Sequence, residues 1–223
     1  MARAQPERAD VDDDAPLAEQ AVRRSLARRQ AITTDEVRRL LDAGLELMRR
    51  GGTRESPRVA DIVRHAGLSN QAFYRHFASK DELVAAILDD GNRRMASYLR
   101  HLVEKETAPD RQVRRYVEGI LQQAIDPDVA EATRAVHWNG RQLPQEIAQR
   151  VEPGAEALQG ILHEPLARLG SDDPERDARA IAHAALGTLQ EHLSRHTTPS
   201  RRDVQHLVQF CLAAVRGRVQ EEA

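Results

Sequence analysis

The chain has 223 residues, 40% of them hydrophobic, 30% charged and only 3% aromatic. That length buries a real core, which must be built mostly from Leu, Ile, Val and Ala, and the composition speaks against a disordered chain. A formal net charge of -2 sums over regions with different jobs, so local charge decides whether nucleic acid is a partner.

No apolar run reaches the roughly 18 residues of a membrane span, and the N-terminus lacks the apolar stretch of a signal peptide, so a soluble cytoplasmic protein with no membrane partner is expected. Cys211 is the single cysteine, which rules out an intrachain disulfide or a cysteine-based zinc cluster. Its neighbours in QFCLAAV mark it as a small buried hydrophobe.

Residues 1–31 are polar, with an acidic stretch (Asp10, Asp12, Asp13, Asp14) followed by an arginine-rich one (Arg23, Arg24, Arg28, Arg29). They read as a flexible arm in which LAEQAVRRSLARRQ can form a frayed helix, its arginines either a solvated face or a basic arm for DNA backbone. Thr33 and Glu36 have the spacing of a capping box, and Val37, Leu40, Leu41, Gly44, Leu45 and Met48 follow at helical intervals until Gly51-Gly52.

Ser56-Pro57 then predicts an N-cap with proline at the first helical position, and a short helix with Val59, Ile62, Val63 and Ala66 inside. Gly67 stops it. Ser69 is a good N-cap for another helix, because Ala72, Phe73, Arg75, His76 and Phe77 lack strand alternation. Two short helices across the turn Gly67-Leu68-Ser69 make a helix-turn-helix.

Such a motif presents the start of its second helix to base edges in the major groove, while surrounding polar groups bind phosphate. Asn70 and Gln71 carry amides that match N6 and N7 of adenine, and Arg75 one turn later matches guanine O6 and N7. These are the base-reading candidates. Ser69, Tyr74, His76 and Lys80 are the phosphate candidates, aided by the positive end of the helix dipole. From Arg54 to Lys80 there are five Lys or Arg against two acids, a locally basic segment in an acidic chain. Phe73 and Phe77, at i and i+4, mark the inner face.

Ser79-Lys80-Asp81-Glu82 is a second capping box and opens a long helix to about Lys105, which Gly91-Asn92 can bend or interrupt. Residues 109–125 form a helix with Val113, Tyr116, Val117, Ile120, Leu121 and Ala124 on one face, and helices near 127–142 and 144–170 follow, punctuated by Pro144, Pro153 and Pro165. The last two helices repeat one stripe: Ala178, Ile181, Ala182, Ala185, Leu186, Leu189 and Leu193, then Val204, Leu207, Val208, Cys211, Leu212, Val215 and Val219. These stripes can face the chain's own core, or pack against a second copy as a four-helix bundle. We expect the dimer, with Ile181, Ala185, Leu189, Val204, Val208, Cys211, Leu212 and Val215 at its interface, because a helix-turn-helix usually needs two copies to grip a duplex.

The run DIVRHAGLSNQAFYRHFASKDEL resembles the helix-turn-helix of the TetR-family transcriptional regulators, whose pattern reads approximately I-A-x-x-A-G-V-S-x-x-x-L-Y-x-H-F-x-x-K-x-x-L. Ile62, Ala66, Gly67, Ser69, Tyr74, His76, Phe77, Lys80 and Leu83 stand at matching positions. The resemblance implies an all-α fold: an N-terminal three-helix DNA-binding domain (32–79) behind the arm, and a C-terminal helical ligand-binding and dimerisation domain (80–223). It also implies a homodimer that represses transcription from a palindromic double-stranded DNA operator and is released by a small molecule, with Tyr74 and Lys80 on phosphate. The chain departs from the pattern at Gln71, where a small residue or proline is common, at Phe73, where leucine is usual, and at Arg58. Arg58 replaces a threonine often found at the start of the second helix and is the phosphate candidate there.

The effector pocket is expected among helices from about 93 to 195, with His137, Trp138, His183 and Gln190 as its candidate residues. So few aromatics favour a hydrophobic or aliphatic effector. No cofactor or metal is expected: His192 and His196 have chelating spacing but no cysteine and few carboxylates nearby. An enzyme is disfavoured, since His163-Glu164 is broken as a zinc-protease motif by Pro165 and Ala167, and neither a nucleophile elbow nor a phosphate loop is present. A DNA-binding protein without an effector is the remaining alternative.

Overall fold

A computed structural model describes residues 17–219 of the chain, without the side chains of 152, 153 and 216–219. The acidic stretch at Asp10 to Asp14 lies outside the described residues. The described chain is all-α and contains no strand. It divides into two units, 1–39 and 40–223.

The described part of the first unit is helical throughout, belonging to α1 (Leu17–Gly51), and Arg23, Arg24, Arg28 and Arg29 are all exposed. The expected start at Thr33 is corrected: the helix passes through it without a break. LAEQAVRRSLARRQ contains no glycine or proline and is rich in strong helix formers, so nothing ends the helix upstream of Thr33.

The second unit begins within α1 at Leu40, which is fully buried together with Met48. Next come α2 (Val59–Ala66) and α3 (Asn70–His76), then the long α4 (Lys80–Glu104). Gly91-Asn92 does not interrupt α4, because tertiary packing on both sides of the pair overrides weak local propensity. The helices α5 (Pro109–Leu121), α6 (Pro127–Gly140), α7 (Gln145–Ala148), α8 (Glu152–Gly160), α9 (His163–Arg168), α10 (Pro174–Arg195) and α11 (Arg201–Val219) complete it. The stretch 144–170, expected to be helical and punctuated by prolines, consists of α7, a 3-10 turn, α8 and α9. Pro144 is the N-cap of α7 and Pro153 lies in the first turn of α8, each at a position where a missing N–H breaks the preceding helix.

One core runs through α4, α5 and α8 to α11, and the expected face of α5 is all in it: Val113, Tyr116, Val117, Ile120 and Leu121 are each 0% exposed. Gly119 lets α5 approach α4. A Cβ there would stand 2.5 Å from Leu99 Cδ2 and 2.9 Å from Leu102 Cδ1. Alanine usually gains about 1 kcal/mol over glycine inside a helix, but overpacking a core costs typically 1–3 kcal/mol. Leu99 is fully buried and has little room to yield. Gly119→Ala is therefore expected to lower the melting temperature, against the sign of helix propensity, as calorimetry would read directly.

The same core settles the stripes of α10 and α11. Ile181, Ala185, Leu189, Val208, Cys211 and Val215, expected at a dimer interface, are buried in the chain's own core, and Val204 and Leu212 pack half-buried against it. The periodicity of Ile181, Ala185, Leu189, Val208, Cys211 and Val215 thus reports burial within one chain, while Val204 and Leu212 keep an exposed part. Burial also pushes the Cys211 thiol up to about 11, so it is no thiolate near neutral pH.

Candidate nucleic-acid interface and effector site

The candidate reading helix, α3, is built as its sequence dictates. α2 ends where Gly67 adopts the left-handed conformation (φ 63, ψ 38), and the N–H of Leu68 closes the end by donating to the Val63 carbonyl at 2.9 Å. Two residues on, Ser69 caps α3: its Oγ accepts from the N–H of Ala72 at 3.1 Å. The Ser69 hydroxyl proton is left to donate outward. Ala72 and Phe73 are buried and Phe77 nearly so, with the two phenyl rings 5.8 Å apart, so the inner face of α3 is fixed.

The outer face carries the expected readers. Asn70, Gln71, Tyr74 and Arg75 are exposed, and His76 is half-buried. Tyr74 packs edge-on against Phe73, with centroids 5.3 Å apart, which orients its hydroxyl-bearing ring. Arg58 is not preceded by an N-capping Ser56 as expected. It is itself the N-cap residue of α2, exposed, and its side chain makes no cap hydrogen bond. Pro57 thus stands one residue before the cap, where its ring restrains the entry to the helix without costing an N–H.

Ser56 has a different partner. Its hydroxyl donates to Asn139 Oδ1 at 2.6 Å, and the Asn139 amide donates to the Ala135 carbonyl at 2.9 Å. Asn139 is only 2% exposed, so this bond ties the α1–α2 turn to the end of α6. A second tie starts just after α3. Ser79 accepts from the N–H of Glu82 at 3.2 Å, as a capping box requires, while Glu82 Oε2 accepts from the N–H of Ala78 at 2.8 Å. The other oxygen of Glu82 accepts from Arg150 at 2.6 Å. These bonds, the Ala78 N–H first, hold the Glu82 carboxyl below its usual range. Both ties join residues 68 or more apart in sequence, and no local signal marks them.

The expected effector residues divide. His137, Trp138 and Gln190 line one cleft of about 240 Å³, together with Thr53, Arg134 and Arg141. His183 does not belong to it; it is exposed on α10, two turns from Gln190. The arginines went unmarked because a charged helix face ordinarily reads as solvated. His192 and His196 do not share a helix face, since His196 leaves α10 with φ 55, while His192 Nδ1 pairs with the Thr197 hydroxyl at 2.9 Å.

Burial, and after it the Arg141 guanidinium, hold the His137 imidazole below its ordinary value of 6.5. The unfolded chain then takes up a proton more readily than the folded one, so the contribution of His137 is fully present above about pH 6.5 and is lost as pH falls through the folded value. Melting curves are expected to show Tm falling between about pH 7 and pH 5, less steeply in His137→Gln.

Residues 40–87 match the family model of the bacterial regulatory proteins, tetR family. Solved structures share the fold across nearly their whole length. A TetR transcriptional regulator from Rhodococcus sp. RHA1 is 17% identical with a TM-score of 0.61, over 82% of this chain and 96% of that one. FadR from Bacillus subtilis, in complex with stearoyl-CoA, is 16% identical with a TM-score of 0.60, over 79% and 96%. NemR of E. coli in its reduced form is 17% identical with a TM-score of 0.58, over 82% and 96%. No curated protein matches the sequence. Residues 40–87 accordingly carry the sequence signature of the tetR family of bacterial regulatory proteins, on an all-α fold similar to that of solved TetR-family structures.

Proposed function

We propose that the chain is a repressor that binds a palindromic operator as a homodimer and releases it when a small molecule with a hydrophobic body occupies the helical domain. The observation that carries this reading is the two-sided α3: Phe73 and Phe77 turned inward, and Asn70, Gln71 and Arg75 exposed along the outer face of the second helix of a helix-turn-helix. Residues 32–79 serve as the DNA-binding part and 80–223 as the effector and dimer part. Ser69, Tyr74, His76, Lys80 and Arg58 contact phosphate, and an operator on the chromosome places the protein in the cytoplasm.

Two copies join through the faces of α10 and α11 that their own core leaves open. On α10 these are Ala180, Ala184 and Gly187, small residues at helical spacing, beside the exposed His183, and a Cβ at Gly187 would meet nothing within 4 Å. On α11 the large apolar residue is Phe210, 61% exposed. A patch of this kind beside small residues suits close helix packing between copies. The ties from Ser56 to Asn139 and from Glu82 to Arg150 give effector binding a route to the reading helix, since each couples a turn flanking the motif to the helices behind it.

The test is a gel-shift titration. The protein should retain a discrete fragment of its own genome, and a small-molecule extract of the same cells should release it. Retention that no extract fraction weakens would favour a constitutive DNA-binding protein, and a protein that retains no fragment would not be a regulator of this kind.

A further inference from the structure

We propose that the cleft between α6 and α10 is a site for a small organic acid, a carboxylate carried on a planar apolar body. This deepens the reading of the chain as an effector-responsive regulator and rests on it for its biological meaning, though not for its chemistry.

The cleft is assembled from two helix faces and one turn. On α6, Arg134, His137 and Trp138, with Arg141 at its C-cap, fall at i, i+3, i+4 and i+7, one side of the helix. Facing them are Gln190, Leu193 and Ser194 of α10, at i, i+3 and i+4, with His196 at the C-cap of that helix. Thr53, from the turn between α1 and α2, closes one end.

Its charge is one-sided. Among the described residues no Asp or Glu lines it. Elsewhere the surface arginines of this chain are commonly matched by an acid one turn away, as in Arg93 with Asp89, Arg94 with Asp90 and Arg195 with Glu191. Among the described residues neither Arg134 nor Arg141 has an acidic partner within ion-pair distance. Arg134 is nevertheless held in place: its Nε donates to the Leu193 carbonyl at 2.7 Å. That bond fixes the guanidinium plane and leaves its terminal nitrogens for a ligand, the arrangement that suits a carboxylate. His137 is kept neutral by burial and by Arg141, so it supplies a hydrogen bond and no charge.

The rest of the lining specifies the body of the ligand. Trp138 offers a half-buried indole and Leu193 a buried aliphatic wall, and together they take a flat apolar group. At about 240 Å³ the cleft lies below the roughly 300–1,000 Å³ of pockets for drug-sized ligands, so its occupant is a small acid and not a long acyl chain. Occupancy bears on the DNA-binding turn directly. Thr53 lines the cleft, and Ser56, three residues on, is bonded to Asn139, the residue after Trp138.

Trp138 is the chain's only tryptophan, so tryptophan emission of the full-length protein, excited beyond the absorption of its tyrosines, reports this cleft. Sodium benzoate and sodium phenylacetate are titrated against it, with benzamide as the neutral counterpart of benzoate and sodium chloride at matched ionic strength. At least one acid is expected to give a saturable change, with benzamide about tenfold weaker or more. Arg141→Gln should weaken the acid about tenfold while leaving the melting temperature near that of the parent, and Arg179→Gln, an exposed arginine outside the cleft, should not weaken it. No saturable change with either acid, an equal response to benzamide, or an unaltered titration in a folded Arg141→Gln protein would overturn the proposal. The titration contains no DNA, so its failure leaves the operator reading standing, and a failure to find an operator leaves the cleft result standing.

Discussion

Phe210→Glu is expected to yield a folded monomer that no longer holds its operator. Phe210 is 61% exposed on α11, whereas Val208 and Cys211 on the other side of the helix are buried in the core at 0% and 2% exposure. A carboxylate at position 210 therefore stays hydrated in the single chain and is desolvated only against a partner, where it costs several kcal/mol. Circular dichroism should match the parent, and light scattering should give half the mass. The operator affinity should fall by roughly 10²- to 10⁴-fold, the factor that linking two binding modules contributes. Val208→Glu provides the contrast: a charge forced into a filled core unfolds the chain itself. A dimeric Phe210→Glu protein with unaltered DNA affinity would place the interface elsewhere.

The second large effect falls on the reading helix. Gln71→Ala is expected to cost about 1–3 kcal/mol on the operator and to relax base preference at one position of each half-site, and Asn70→Ala and Arg75→Ala to do the same at neighbouring positions. Lys80→Ala differs in kind: as a phosphate contact it should weaken operator and random DNA alike and reduce the salt slope by about one. Binding isotherms on a set of single-base operator variants separate the two. Equal losses on operator and random duplex for Gln71→Ala would remove it from base reading.

Much of this is legible in the residues because the helix-turn-helix is specified locally. Gly67 is needed at a left-handed position, Ser69 and Ser79 at caps, and Phe73 and Phe77 on one helix face, and each signal lies within four residues of the group it acts on. The buried faces of α5, α10 and α11 are legible for the same reason. Periodicity states that a face is buried but not what buries it, which is why the stripes of Ile181 and Val208 fit a dimer as well as they fit the chain's own core. Thr33 misleads in a related way: a capping pair can end an extended chain, but it cannot end a helix that strong helix formers already propagate. The cleft at Trp138 and the ties at Asn139 and Arg150 depend on residues tens of positions apart, and no spacing rule reaches them.

Selection of bound duplexes from a random-sequence pool by the intact protein decides whether α3 reads DNA sequence. Enrichment is expected of an inverted repeat whose half-sites lie about one helical turn, roughly 34 Å, apart or at a multiple of it. The enrichment should disappear when Asn70, Gln71 and Arg75 are all replaced by alanine. A pool that stays unenriched, or a repeat that the triple variant selects equally well, would contradict base reading by α3.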